Sequence, residues 1–237
     1  MSAFAFGYPR RHFAVTDSTN ARARELAAAG APGGTVVTAG RQTAGRGRRG
    51  RRWAAPAGKA LLYSAILRPL ASDHALLPLA APVAVCEAVE SLAPVRCAIK
   101  WPNDVWIDER KAAGVLIEAR IPDWAVIGVG VNVAVEPGEL PGDLRWPATS
   151  IGHGVGVEEL RSALDHALGE WVAAPRARIV SAFSARDLLR GRRVAWDDGE
   201  PRSGVGGGID EDGNLVVRLD GGGRAVLGAG EVSLALG

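Results

Sequence analysis

The chain has 237 residues, 47% of them hydrophobic, and a formal net charge of +2. That content supports a substantial core and excludes a disordered chain, at a length suited to one large domain or a main domain with a small appendage. The near balance of charge gives no global case for nucleic acid or an anionic membrane surface, so positive charge matters only where it is concentrated.

In chain order, Asp17-Ser18-Thr19-Asn20 is a helix-start signal with Ser18 or Thr19 as N-cap, and the alanine-rich run that follows is expected to stop at Gly30. Residues 35–39 predict a short β-branched strand that leads into an arginine–glycine loop. Residues 60–67 predict a second strand, stopped by Pro69. Residues 75–92 predict a long apolar helix, bent or broken near Pro78 and Pro82. From residue 98 the pattern turns to β. A strand entered at Ile99-Lys100-Trp101 is expected to continue through Val105-Trp106-Ile107, turn at Asp108-Glu109-Arg110 and return over residues 114–118. Residues 125–135 predict a third strand after Pro122-Asp123. Such short connections imply antiparallel neighbours in a meander. Helices are predicted near residues 157–173 and 177–189. Beyond Gly191, short valine-rich strands, many glycines and the turn at residues 210–214 predict a small β-barrel or sandwich. The expected division is a catalytic body over 1–190 and an appended β-unit over 191–237.

The loop at residues 42–53 places five arginines among three glycines and closes on Trp53. Arginine brings a permanent charge and a planar fork suited to phosphate or carboxylate oxygens, and glycine lets the backbone approach a ligand closely. A loop built only for stability avoids both like-charge repulsion and conformational freedom, so this one reads as a gate over a multiply charged small molecule or as a nucleic-acid-binding arm. Gly45, Gly47 and Gly50 match the dinucleotide fingerprint literally, but no helix start or βαβ unit follows them. Lys100-Trp101-Pro102-Asn103-Asp104 is a polar cluster inside a β pattern, and Lys111 begins the returning strand of the same hairpin. Gly128-Val129-Gly130-Val131-Asn132 alternates glycine with valine, which clears one face of a sheet for a bound ligand or for a closely packed helix, and Asn132 is a polar residue in an apolar run. The three lysines are Lys59, Lys100 and Lys111, so two of the three fall in this hairpin. Cys86 and Cys97 read as packing residues, and His12, His74, His153 and His166 show no zinc spacing. No leader-like start or bilayer-length apolar run is present, which places the expected compartment in the cytoplasm.

Taken together, Asp-Ser-Thr-Asn at 17–20, the arginine–glycine stretch at 42–53, Lys-Trp-Pro-Asn-Asp at 100–104, Lys-Ala-Ala-Gly-Val-Leu-Ile-Glu at 111–118 and Gly-Val-Gly-Val-Asn at 128–132 resemble the biotin protein ligase family in order and spacing. The resemblance implies an α+β fold, with a mixed, largely antiparallel sheet flanked by helices in a class II synthetase-like catalytic domain, and a small C-terminal SH3-like β-barrel. It implies ATP and biotin as substrates with Mg2+ accompanying the nucleotide, a biotinyl-5′-AMP intermediate, and a lysine of a biotin carboxyl carrier domain of an acyl-CoA carboxylase as acceptor. It also implies a monofunctional form without operator binding, with no nucleic acid or membrane partner, acting as a monomer or weak homodimer.

By motif match, Ser18, Thr19, Asn20, Gln42, Gly45, Arg46, Gly47, Arg48 and Lys111 are expected around biotin. Arg46, Arg51, Trp53, Lys100, Asn103 and Asn132 are expected around the nucleotide. Lys111, Arg48 and Asp104 are the expected catalytic residues, and no residue is assigned to a metal. Lys111 is expected between the biotin carboxylate and the α-phosphate, and Asp104 at the incoming amine. Two other readings compete. Lipoate or octanoate ligases and transferases share a related fold and acceptor type but lack this loop in the same form. A nucleic-acid-binding module uses the arginines and tryptophans but leaves the hairpin lysines and Asp104 unexplained.

Overall fold

The computed structural model describes residues 5–140, 144, 146–152, 154–228 and 232–234; His153 lies outside them. A seven-stranded mixed sheet forms the body, in the order β1-β2-β3-β7-β6-β5-β4. Its strands are β1 (Arg10–Thr16), β2 (Val36–Gln42), β3 (Ala60–Leu67), β4 (Ala98–Lys100), β5 (Asp104–Ile107), β6 (Arg110–Arg120) and β7 (Trp124–Asn132). Only β1 and β2 pair in parallel; the other neighbours are antiparallel, including the expected meander β5-β6-β7. β3 and β7 lie at the centre with almost every side chain buried, which suits their aliphatic and β-branched sequences.

Helix α1 (Thr19–Ala28) covers one face of this sheet. Ser18 is its N-cap, accepting from the backbone N–H of Ala21, and Gly30 beyond its end takes a φ of +89°, where glycine carries no steric cost. Its buried side packs Ala23 and Ala27 against Val37, Ile66, Trp124 and Val126. The opposite face carries α2 (Leu77–Glu90), α3 (Val157–Val172) and α4 (Arg176–Ser184), with the main apolar core between them and the sheet. The break expected near Pro78 falls at the start of α2, where a 3-10 turn over Ser72–Leu76 gives way to the helix at Leu77; none occurs at Pro82, which sits inside one continuous helix. It removes a single hydrogen bond near the N-terminal end. The burial of eleven of the fourteen helical residues offsets a cost of about 3 kcal/mol. Cys86 and Cys97 are free and buried in this core, and burial pushes the Cys86 thiol well up.

Two further expectations are corrected. The strand expected to run from residue 99 to 107 is two strands, because Trp101, Pro102 and Asn103 form a tight turn that folds β4 back antiparallel on β5. Proline supplies no N–H to a ladder, so the chain reverses there instead of passing through. The C-terminal strands β8 (Arg193–Asp197), β9 (Pro201–Ile209), β10 (Leu215–Leu219), β11 (Arg224–Leu227) and β12 (Val232–Leu234) form an open antiparallel sheet in the order β11-β10-β9-β8-β12. Among the described residues it does not close into a barrel. Its apolar residues Val194, Trp196, Leu215, Val217 and Val232 join the main core, so the body covers the face that closure would otherwise bury. The contact is close: a Cβ on Gly213 would stand 2.8 Å from Leu79, and Trp101 donates its indole N–H to the Gly213 carbonyl at 3.0 Å.

Candidate active site

The sheet face that carries α1 also carries a cavity of about 1090 Å³ with its open mouth included. The alternating glycines of β7 make it possible. A Cβ on Gly128 would lie 1.9 Å from Asn20 Oδ1, and one on Gly130 would lie 2.5 Å from the Trp53 ring. Glycine therefore lets the start of α1 and the end of the arginine loop settle directly on the strand. The sequence left packing and ligand clearance open for these glycines; both neighbours prove to be side chains of the cavity wall.

At the helix start, the backbone N–H of Thr19 donates to Gln42 Oε1 at 2.7 Å, and the Thr19 hydroxyl lies 3.1 Å from the same oxygen. The Ser64 hydroxyl, fully buried on β3, lies 2.6 Å from Asn20 Oδ1 and 2.9 Å from Thr19 Oγ1. Asn20 Nδ2 donates to Glu118 Oε2 at 2.9 Å and to the Leu116 carbonyl at 3.3 Å. Both amide hydrogens of Asn20 are thus engaged, and its Oδ1 retains one lone pair to offer a donor in the cavity. This wall is neutral, buried and held by hydrogen bonds.

The opposite wall is cationic. Gly45 and Trp53 bracket the loop, with the Trp53 N–H donating to the Gly45 carbonyl at 3.0 Å. Inside it, Gly47 donates to the Arg51 carbonyl at 2.7 Å, and Arg48–Gly50 form a single helical turn with Arg49 at a φ of 55°. Arg48 reaches Asn103 Oδ1 at 3.1 Å, and Arg46 reaches Glu118 Oε1 at 3.1 Å. Glu118 also accepts from Arg24 at 2.8 Å. Burial pushes the Glu118 carboxyl up, but the hydrogen bonds from Asn20 and Arg24 and the charges of Arg46 and Arg24 outweigh it and hold the group below its ordinary range.

Between the walls stand Lys111 and Asp104, with Nζ 2.7 Å from Oδ1 and side chains 25% and 11% exposed. The β5–β6 hairpin brings them together through a register shift between Val105 and Trp106 that re-aims the strand. Lys111 also lies 5.8 Å from the centroid of the Trp53 ring. Two cavity residues carry buried polar atoms with no protein partner: Asn132 Oδ1 and Trp53 Nε1. Buried polar atoms are normally paired, so both mark positions where a bound molecule or water completes the bonding.

Of the residues singled out in the sequence, Ser18, Thr19, Asn20, Gln42, Arg46, Gly47, Arg48, Arg51, Trp53, Asn103, Asp104, Lys111 and Asn132 all line this cavity. Gly45 and Lys100 do not appear in its wall. Gly45 lies beneath it, where a Cβ would meet the Trp53 carbonyl at 2.3 Å. Lys100 is buried, gives its ammonium to the Val232 carbonyl, and lies 4.9 Å from the Trp146 ring, beside a smaller cavity that also borders Arg48, Arg51 and Asp104. Sequence reasoning missed Trp146, Leu140 and Ala148, which close the cavity from the segment after β7, and Ser64 and Glu118, which support its floor. Glu118 had a visible signal, a carboxylate ending the Gly-Val-Leu-Ile-Glu run; the others had none. Among the described residues no group of three metal-binding side chains occurs, and no helix is long and apolar enough to cross a membrane.

A neutral hydrogen-bonding wall, a lysine–carboxylate pair and an arginine loop thus meet on one sheet face. The model of the Biotin/lipoate A/B protein ligase family matches residues 12–132, and the chain belongs to that family. Within it, the chain is 39% identical over 239 residues to the biotin--[acetyl-CoA-carboxylase] ligase of Paracoccus denitrificans, covering 92% of this chain and 98% of that protein. It is 41% identical over 149 residues to the bifunctional ligase/repressor BirA of Bacillus subtilis, a match that spans 60% of this chain and 46% of that protein. The fold is similar to that of the biotin protein ligase from Aquifex aeolicus in complex with biotin and ATP, with a TM-score of 0.83, 28% identity, and coverage of 96% of this chain and 99% of that one. The body is accordingly the class II synthetase-like fold of these ligases.

Proposed function

We propose that the chain is an ATP-dependent biotin protein ligase. In the first step a biotin carboxylate oxygen attacks the α-phosphorus of ATP; the bond to the β-phosphate oxygen breaks, giving biotinyl-5′-AMP and pyrophosphate. In the second, the neutral amine of an acceptor lysine attacks the acyl carbon, the amine loses a proton, and AMP leaves. The acceptor is a lysine of a biotin carboxyl carrier domain of a carboxylase. Residues 1–190 carry the chemistry, with 191–237 as an appended β-unit.

The observation that carries this reading is that Arg46 and Lys111, 65 positions apart in sequence, border one cavity with Asp104 and the start of α1. Each wall has a task. The neutral wall of Ser18, Thr19, Asn20 and Gln42 offers matched donors and acceptors to the ureido ring, and a buried site built this way rejects molecules that leave its polar groups unpaired. The cationic wall answers a different problem. ATP and a carboxylate repel at close range, and Arg46, Arg48 and Arg51 screen them while the loop excludes water from the mixed anhydride. Lys111 stabilises charge as the phosphorus is attacked. Trp53 offers its face to adenine, and Asn132 and Asn103 serve the nucleotide. Mg2+ bound with the nucleotide would add charge screening at the phosphates, beside that supplied by Arg46, Arg48 and Arg51.

The acceptor amine must be neutral to attack. A free lysine titrates near about 10.4, so only about one in a thousand is neutral around pH ~7.4, and Asp104 orients that amine or accepts its proton. The test is ATP–pyrophosphate exchange with biotin and lipoate compared side by side. Biotin-dependent exchange is expected; exchange with lipoate alone would move the chain to the other branch of the family.

A further inference from the structure

The Glu118 carboxylate joins the two walls of the cavity without lining it. Its Oε2 accepts from Asn20 at 2.9 Å, and its Oε1 accepts from Arg46 at 3.1 Å and from Arg24 at 2.8 Å. The group sits on β6, its side chain 20% exposed, while Arg46 and Arg24 are 47% and 41% exposed. Two consequences follow from chemistry alone. A carboxylate and the Leu116 carbonyl only accept hydrogen bonds, so together they turn the Asn20 Nδ2 toward themselves and leave Oδ1 facing Ser64 and the cavity. A single negative charge shared by two guanidiniums holds the root of the arginine loop to the strand through Arg46.

Arg46 thus spends part of its charge on Glu118. Arg46 also forms an isolated bridge with Arg52, so fixing its position fixes both stems of the loop.

From this geometry we infer that Glu118 is a positioning residue that latches the arginine loop closed and fixes the orientation of Asn20, coupling one wall of the cavity to the other. The inference rests on the ligase reading above and deepens it. Glu118 touches neither substrate; it acts through Asn20 and Arg46. Arg24 supplies an internal control, because it shares Glu118 but does not border the cavity. Removing Arg24 leaves Oε1 to Arg46 alone, so it should not loosen the loop.

The test measures dissociation of biotinyl-5′-AMP from the full chain, and trypsin cleavage at the loop arginines with the adenylate bound. Glu118→Gln preserves size and removes the charge. Weakening the charge-assisted hydrogen bond to Arg46 should speed adenylate release about five- to tenfold and increase loop cleavage, with the melting temperature lowered only slightly at neutral pH. Arg24→Gln should stay within about twofold of wild type on both readouts. Wild-type release and wild-type protection in Glu118→Gln would overturn the inference, as would an equal change in both variants. A wild-type chain that never retains the adenylate would instead overturn the ligase reading and this inference with it.

Discussion

The start of α1 and the arginine loop face each other across one cavity and are built on opposite principles. Ser18, Thr19 and Asn20 are 3–5% exposed, neutral, and tied to Gln42, Ser64 and Glu118 by hydrogen bonds. The loop is mostly exposed and held by the Arg46–Glu118 ion pair and by few backbone bonds. Buried neutral networks are rigid and insensitive to salt, whereas exposed charges are cheap to move and are screened. A site that must recognise one small ring and then shield a reactive anhydride needs both, and the molecule keeps them on separate segments.

The largest expected effect lies at the seam between the two. Lys111→Ala should slow adenylate formation roughly a hundred- to a thousandfold while leaving the fold intact, because it removes a preorganised charge from the reacting centre. Near-normal pyrophosphate release by that variant would dismiss the role. Asp104→Asn should slow transfer from preformed biotinyl-5′-AMP about a hundredfold, within the range for a positioned base. Normal transfer by this variant would leave Asp104 as no more than the partner of Lys111.

On the neutral side, Gly128→Ala forces a methyl group into the place of the Asn20 amide, 1.9 Å from its oxygen. Biotin affinity should fall about tenfold or more, by the same factor at low and high salt, since a buried polar contact is what is lost. A loss that fades with added salt would contradict the division between the walls. On the charged side, Arg51→Ala should raise the KM for ATP by about three- to fivefold at low ionic strength, shrinking as salt is added, with biotin affinity unchanged. The smallest effect concerns pH. Glu118 is held below its ordinary value of 4.5, so its stabilising contribution is complete above that value and is lost as the pH falls through the lowered one. Thermal melts of wild type and Glu118→Gln should therefore differ at neutral pH and converge as the pH falls well below 4.5.

Local signals carried much of the fold. The N-cap at Ser18, the strand Ala60–Leu67, the helix beginning at Val157 and the meander of β5, β6 and β7 all follow from capping, periodicity and short turns. The edge strand β1 was not legible, because its sequence is polar and exposed and becomes a strand only by pairing with β2. Pro82 misled for a related reason: the local cost of proline was visible, and the burial that offsets it was not. The apolar residues of the last five strands suggested a barrel, but whether they close on themselves or lie on a neighbouring body is settled by what they meet.

The candidate site divides the same way. Residue chemistry by itself marked the arginine–glycine loop and the polar hairpin as candidates, since charge, conformational freedom at glycine and donor–acceptor type are properties of the residues. Grouping them around one pair of ligands came from the resemblance of the motifs in order and spacing. Tertiary structure alone decided that Gly128 yields to Asn20 and Gly130 to Trp53, that Lys100 turns to the Val232 carbonyl, and that Glu118 stands between the two walls. These outcomes depend on contacts between residues tens of positions apart, set by strand register and helix packing, which no local pattern encodes.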